Sequence, residues 1–396
     1  MGRSQPRIAA LLAFGVVAAF GASLAPARSQ ADAPIKIGIV GPLTGPFATT
    51  GVAFRQGAEA YAALHGDKAG SRRIEVIYRD SAGNPTTAKG LTEELLVKDK
   101  VQMLGGYMLT PEAVAAVPVV NETKTPLFLF NAATPVLLKM SPYFLRMGQN
   151  ITIPADLGAT WSRQQGKSRG YVAVADYLPG HAVETAFIAK FEAEGGKIVG
   201  KDRIPLNTVD FAPFAERIAN ANADVLEIFI TPGAPAVGFI KALAARGLTQ
   251  KILIIGQGEA EDNDLHLFDD SVLNFHSIIY IAGSLDIPEN NALKDKLRQK
   301  FGADTTTSAF TVGAFDGLHV MYRMAENLAG KRFDGDAAMK SVTGYSWKSP
   351  RGPVTIHPSR ELVQNFYVRR VEKVGGKMQN TVIHTFPSVE PPPPAK

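Results

Sequence analysis

Ile35-Lys36-Ile37-Gly38-Ile39-Val40-Gly41 is an apolar, largely β-branched run that stops at the turn Gly41-Pro42-Leu43-Thr44-Gly45. Only Lys36 interrupts it. A strand without polar alternation has both faces covered, as in a parallel sheet. The same phrase repeats outward along the chain. Helical spacing over residues 54–64 leads to an apolar run at 74–78, 86–98 leads to 101–106, and 112–121 leads to 126–130. Short strands separated by helices of about 10–15 residues imply βαβ units.

The rhythm restarts after Gln149-Asn150, with helices expected over 154–165, 182–194, 211–220 and 236–246. Strands are expected between them at 170–175, 197–205, 224–230 and 251–256. Residues 284–331 read as mostly helical and 352–386 as strand-rich, before a Pro-rich end expected to be disordered over 387–396. The fold class is therefore α/β, with two parallel sheets flanked by helices. No low-complexity linker separates the two halves, so a hinge of several chain crossings fits better than beads on a string.

The 396 residues suggest two to three domains' worth of chain. At 45% hydrophobic and 20% charged the composition is that of a soluble globular protein. Arg3 and Arg7, the apolar run from Ile8 to Ala22 and the small residues that follow read as a signal peptide over 1–31. A spanning helix needs roughly 20 apolar residues. Export to the periplasm with cleavage is the expectation. Removing the leader takes three of the 42 basic residues and none of the 37 acidic ones, an excess of about two. No dense basic stripe argues for nucleic acid. With no Cys there is no disulfide, thiolate metal site or Cys nucleophile.

Enzyme signatures are missing as well. The seven His show no metal-ligand spacing, and neither GxSxG nor a phosphate-binding P-loop occurs. Pro42 breaks the dinucleotide-binding glycine pattern. The acidic stretch 259–264 lacks the spacing of a calcium loop. No enzyme activity, cofactor or metal is expected. An exported α/β enzyme using Asp176 or Glu259 is the rival reading.

Open parallel sheets bind ligands at the carboxyl ends of their strands. In the first half those ends carry the turn after the first strand, Gly105-Gly106-Tyr107-Met108-Leu109-Thr110-Pro111 and Asn131-Ala132-Ala133-Thr134-Pro135. Thr110 before Pro111-Glu112 suits an N-cap, with Pro at the first helical position and an acid in the first turn. Such a start can seat an anion, or Thr110 can simply cap its own helix; Thr134 before Pro135 poses the same choice. Phe47 and Tyr107 would either wall a ligand or pack within the lobe. In the second half Tyr177, Thr231 and Glu259 follow strands, and Glu259 stands where a carboxylate would meet a ligand ammonium.

Gly41-Pro42-Leu43-Thr44-Gly45-Pro46 resembles the opening of the type I periplasmic solute-binding proteins of ABC importers, nearest their branched-chain amino-acid (Leu/Ile/Val) group. The loop at 131–135 resembles that family's Ala-Ala-Thr ligand loop. Ser349-Pro350-Arg351-Gly352-Pro353 resembles its C-terminal signature, and is similar to that of relatives binding aromatic acids. The resemblance implies two Rossmann-like lobes joined by three hinge crossings, near 144–150, 276–283 and 344–353. Residues 32–147 with 281–345 would form lobe 1, and 148–280 with 346–386 lobe 2. It further implies that Thr110 binds a ligand carboxylate, helped by Ala132 and Thr134, and that Tyr177 contributes a ring from the second lobe. Thr50, with Phe47 nearby, stands where the amino-acid binders have an aromatic residue, and Gly258 or Glu259 where they have an acidic partner for the ammonium. The expected site adds Tyr107, Met108, Leu109, Asn131, Ala133 and Thr231. A monomer is expected, with a small carboxylate ligand (a hydrophobic amino acid or an aromatic acid) and a membrane permease as partners; a sensor module is the other alternative.

Overall fold

The computed structural model describes residues 1–2 and 33–393. The leader read over 1–31 lies, apart from its first two residues, outside that range. The first body holds β1 (Ile35–Gly41), α1 (Ala48–His65), β2 (Lys68–Ala69), β3 (Arg72–Asp80), α2 (Pro85–Val97), β4 (Met103–Gly106), α3 (Thr110–Thr123), β5 (Leu127–Leu129), α4 (Leu137–Met140) and β6 (Phe144–Arg146). The chain then crosses to α5 (Thr152–Gln164), β7 (Arg169–Ala175), α6 (Leu178–Ala193), β8 (Lys197–Ile204), α7 (Ala212–Asn220), β9 (Val225–Phe229), α8 (Ala234–Ala245), α9 (Leu248–Lys251), β10 (Leu253–Gly256) and β11 (His276–Ile279). It returns for α10 (Pro288–Phe301), α11 (Ala309–Asn327) and α12 (Gly335–Ser341), and ends in β12 (Ser346–Ser349), β13 (Gly352–Ile356), β14 (Leu362–Val374) and β15 (Lys377–Val389).

Among the described residues the strands form two sheets. One runs β2-β3-β1-β4-β5-β6; the other runs β12-β13-β14-β11-β10-β9-β7-β8, with β15 paired to β14. β1 sits in the middle of the first, parallel to β3 and β4. Its apolar run explains this position. Ile35, Ile37 and Ile39 enter the core shared with α1 and α11, while Val40 joins Leu95, Leu104 and Leu127 on the opposite face. Two further apolar cores cover the faces of the second sheet.

That second sheet departs from the expected all-parallel pattern. β7, β8, β9, β10 and β11 are parallel, whereas the chain's last strands add antiparallel ones. β14 and β15 form a long hairpin whose pairing reaches Gln364 and Val389. The disordered end expected from 387 onward is therefore corrected: β15 carries Pro387 and ends at Val389. Pro is tolerated there because β15 is an edge strand with one unpaired side.

Two of the three crossings start later than expected, since Phe144–Arg146 belongs to β6 and His276–Ile279 to β11, and the third, expected near 344–353, carries β12 and the start of β13. Buried polar side chains tie them to one another. The Arg351 guanidinium lies 4.1 Å over the Tyr280 ring, pairs with Asp316 of α11 at 2.8 Å and donates to Gln364 Oε1. Gln364 Nε2 in turn donates to the Gly148 carbonyl. One side-chain chain thus links all three passages.

Candidate functional site

The carboxyl ends of both sheets face a cleft of about 600 Å³, counting its open mouth. Met108, Leu109 and Thr110 line it from the β4–α3 loop, and Asn131 and Ala133 from the β5–α4 loop. Tyr177, Pro179, Phe229, Ile230, Pro232, Gln257, Gly258 and Glu259 face them from the second sheet. Gly148, Gln149, Ile151, Ile279 and Tyr280 from the crossings, with Ala309 and Phe310 from α11, complete the lining. No Lys, Arg or His is among these residues.

Local backbone chemistry sets the first wall. Gly106 has φ +109°, and a Cβ there would sit 2.0 Å from the Val40 carbonyl oxygen. Only glycine lets β4 end this close to β1. The chain then turns so that α3 opens at the cleft. The cap is not Thr110 as expected but Leu109, whose N–H donates to Glu112 Oε2 at 2.8 Å; Thr110 is the first helical residue and Pro111 the second. Because Glu112 does the capping, the Thr110 hydroxyl is released from it. It lies 2.7 Å from the Thr134 hydroxyl of the neighbouring loop. Asn131 Nδ2 donates to the Met108 carbonyl and binds the two loops together. A hydroxyl pair at the start of a helix can donate to an anion, and the helix dipole favours negative charge at that end.

Arg146 fixes the second of these loops from behind. It is buried, pairs with Glu361 at 2.8 Å, and donates to the carbonyls of Ala132 and Thr134.

The opposite wall is aromatic. The Tyr177 and Phe229 rings stack at 6.0 Å and 19°. Burial, then the nearby Glu259 charge, raises the Tyr177 pKa, so the phenol stays protonated. Glu259 itself is held by three backbone donors: Oε1 accepts from the Ile230 N–H, and Oε2 from the N–H groups of Gln257 and Gly258. Burial pushes its pKa up against those three bonds. Its observed work is to pin the loop after β10 to the end of β9.

Of the residues expected from sequence, Met108, Leu109, Thr110, Asn131, Ala133, Tyr177, Gly258 and Glu259 line the cleft. Thr134 reaches it through Thr110. The others do not line it. Phe47 precedes α1 and packs on the first core. Thr50 is buried within α1. Tyr107 is in the core between α2 and α3, its hydroxyl 2.7 Å from that of Thr92. Ala132 is buried with its carbonyl given to Arg146. Thr231 lines a separate small pocket with Ile204 and Phe211. Sequence reasoning missed Phe229, Gln257, Gln149 and Tyr280. The first two end or follow strands, so the carboxyl-end rule that picked Tyr177 would have found them. The last two sit on crossings, which carry no local motif.

A family profile described as "Periplasmic binding protein" matches residues 34–377. The Leu/Ile/Val-binding protein homolog 6 of Brucella melitensis is 37% identical over 369 residues, covering 92% of this chain and 94% of the relative. A solute-binding protein of an ABC transporter from Rhodopseudomonas palustris HaA2, solved with p-hydroxybenzoic acid, superposes with a TM-score of 0.87 at 38% identity, covering 90% of this chain and 98% of the other. Its counterpart from Rhodopseudomonas palustris BisB5, solved with 3,4-dihydroxybenzoic acid, gives 0.86 at 32% identity over the same shares.

Proposed function

This chain belongs to the periplasmic binding protein family, and from that membership we propose that it captures a small aromatic carboxylic acid between two lobes and delivers it to the permease of an ABC importer. The carrying observation is the Thr110 hydroxyl at the opening of α3, backed by that of Thr134, in one cleft with the stacked Tyr177 and Phe229 rings. An acid with a flat apolar body matches both walls at once. The lining has no cation, so hydroxyl donors and the α3 dipole neutralise the carboxylate. The three backbone donors already on the Glu259 carboxylate favour a ligand without an ammonium group.

The moving units are residues 32–147 with 281–345 against 148–280 with 346–386, and closure is favoured because only the closed form touches ligand from both sides. This reading places the mature protein in the periplasm as a monomer that binds without turnover. A hydrophobic amino acid is the second reading, favoured by Glu259 lining the cleft. Calorimetry on the leaderless chain with benzoate, 4-hydroxybenzoate, leucine and isoleucine separates them. One aromatic acid bound per chain, unconverted and at micromolar affinity or better, about −8 kcal/mol, is expected. Leucine or isoleucine binding with the acids inert would contradict it, as would conversion of a bound acid.

A further inference from the structure

Two amide oxygens around the cleft are buried without a hydrogen-bond partner in the protein: Gln257 Oε1 and Gln149 Oε1. Such an atom costs free energy unless something donates to it. The Gln257 case is the more constrained of the two. Gln257 is 2% exposed, and its Nε2 donates to Glu227 Oε1 at 2.9 Å, leaving Oε1 as the unpartnered end of the amide. Glu227 sits on β9, fully buried, with Gly158 of α5 behind its other oxygen.

Resting on the reading of the cleft as an aromatic-acid site, we infer that Gln257 reads a hydrogen-donating substituent, a phenolic hydroxyl, on the ring end of the ligand. Glu227 is the positioning residue that holds the Gln257 nitrogen and so turns its oxygen to the ligand. Polarity runs in one direction across the site. Hydroxyl donors on the first sheet receive the carboxylate, and an amide acceptor on the second sheet receives the ring's hydroxyl. Burial raises the Glu227 pKa well above the ordinary carboxylate value. A ring without a donor leaves Gln257 Oε1 unpaired after closure, and discrimination follows from that penalty.

Calorimetry with 4-hydroxybenzoate, benzoate and 4-methoxybenzoate on the leaderless chain tests this. The parent should bind the hydroxyl compound at least about tenfold more tightly than the other two. Gln257→Met, which preserves the volume, should bring that ratio close to one; any general loss of affinity shared by the three acids cancels in the ratio. Glu227→Leu should lower the ratio through loss of the amide's holder, and Glu227→Gln, which keeps a carbonyl acceptor, should restore most of it. An unchanged ratio in Gln257→Met, or 4-methoxybenzoate bound as tightly as 4-hydroxybenzoate by the parent, would overturn the inference and leave the aromatic-acid reading standing. If the parent bound none of the three, that reading would fall and take this inference with it.

Discussion

Thr110 and Thr134 offer hydrogen-bonding capacity without charge, which suits a site that must release what it binds. Each hydroxyl has the other as its partner at 2.7 Å, and a carboxylate arriving between them would take over at least one proton. Thr110→Val keeps the shape and removes the donor. The expected cost is roughly 1–3 kcal/mol, about five- to hundred-and-fifty-fold in Kd by calorimetry, with little change in melting temperature. Unchanged affinity would remove Thr110 from the site. A second residue-scale effect concerns stability. Burial, then the Arg370 charge, lowers the His276 pKa to about 4, so the folded protein holds this ring neutral. The unfolded chain protonates it near 6.5, so its contribution is intact above that pH and is lost as pH falls toward 4. His276→Gln should therefore lose less melting temperature than the parent between pH 7 and pH 4.5; equal losses would contradict this. Thr110 was legible in sequence because Thr-Pro-Glu is a helix start; only the cap position was wrong, since Glu112 two residues on takes the cap and the Thr110 hydroxyl stays at the cleft.

Loops at strand ends carry the site, and each is held by something far away in sequence. The loop at 131–134 depends on Arg146 and, through it, on Glu361 from the stretch between β13 and β14. Arg146→Met strands a buried carboxylate and two carbonyls, so a loss of about 3–5 kcal/mol in urea unfolding is expected. Ligand affinity should fall too, although Arg146 does not line the cleft. A loss below about 1 kcal/mol would mean that the loop holds itself. Alternation of apolar runs and amphipathic spacing made β1, β4, β9 and β10 readable. Helix starts were harder. α6 begins at Leu178 rather than near 182, because Pro179-Gly180 reads as a loop yet sits in the first turn, where Pro is allowed and Gly180 packs against the Ala175 carbonyl. β12 to β15 pair in sequence order, which fits the strand-rich reading of 352–386, but the pairing of β14 with the distant β11 is one that no local window reports.

At the scale of the molecule, two sheets share one chain that passes between them three times, and the passages are knotted chemically by Arg351, Tyr280, Gln364 and Gly148. Tyr280 and Gly148 also line the cleft, so whatever fills it touches the passages between the sheets. Val354, Ile356 and Leu362 pack into the core around α1 and α11 although their strands join the second sheet. That overlap joins the two sheets at the floor of the cleft. The arrangement was visible in outline from the restart of the βα rhythm at 150, while the ties were not, since buried Arg, Asp and Gln look like surface residues in a sequence. The most direct test is a crystal structure of the leaderless chain grown with 4-hydroxybenzoate. The ligand should lie between the sheets with its carboxylate within hydrogen-bonding reach of the Thr110 and Thr134 hydroxyls and its ring against Tyr177 and Phe229. A carboxylate directed instead at the second sheet, or a ligand bound outside the cleft, would contradict the account.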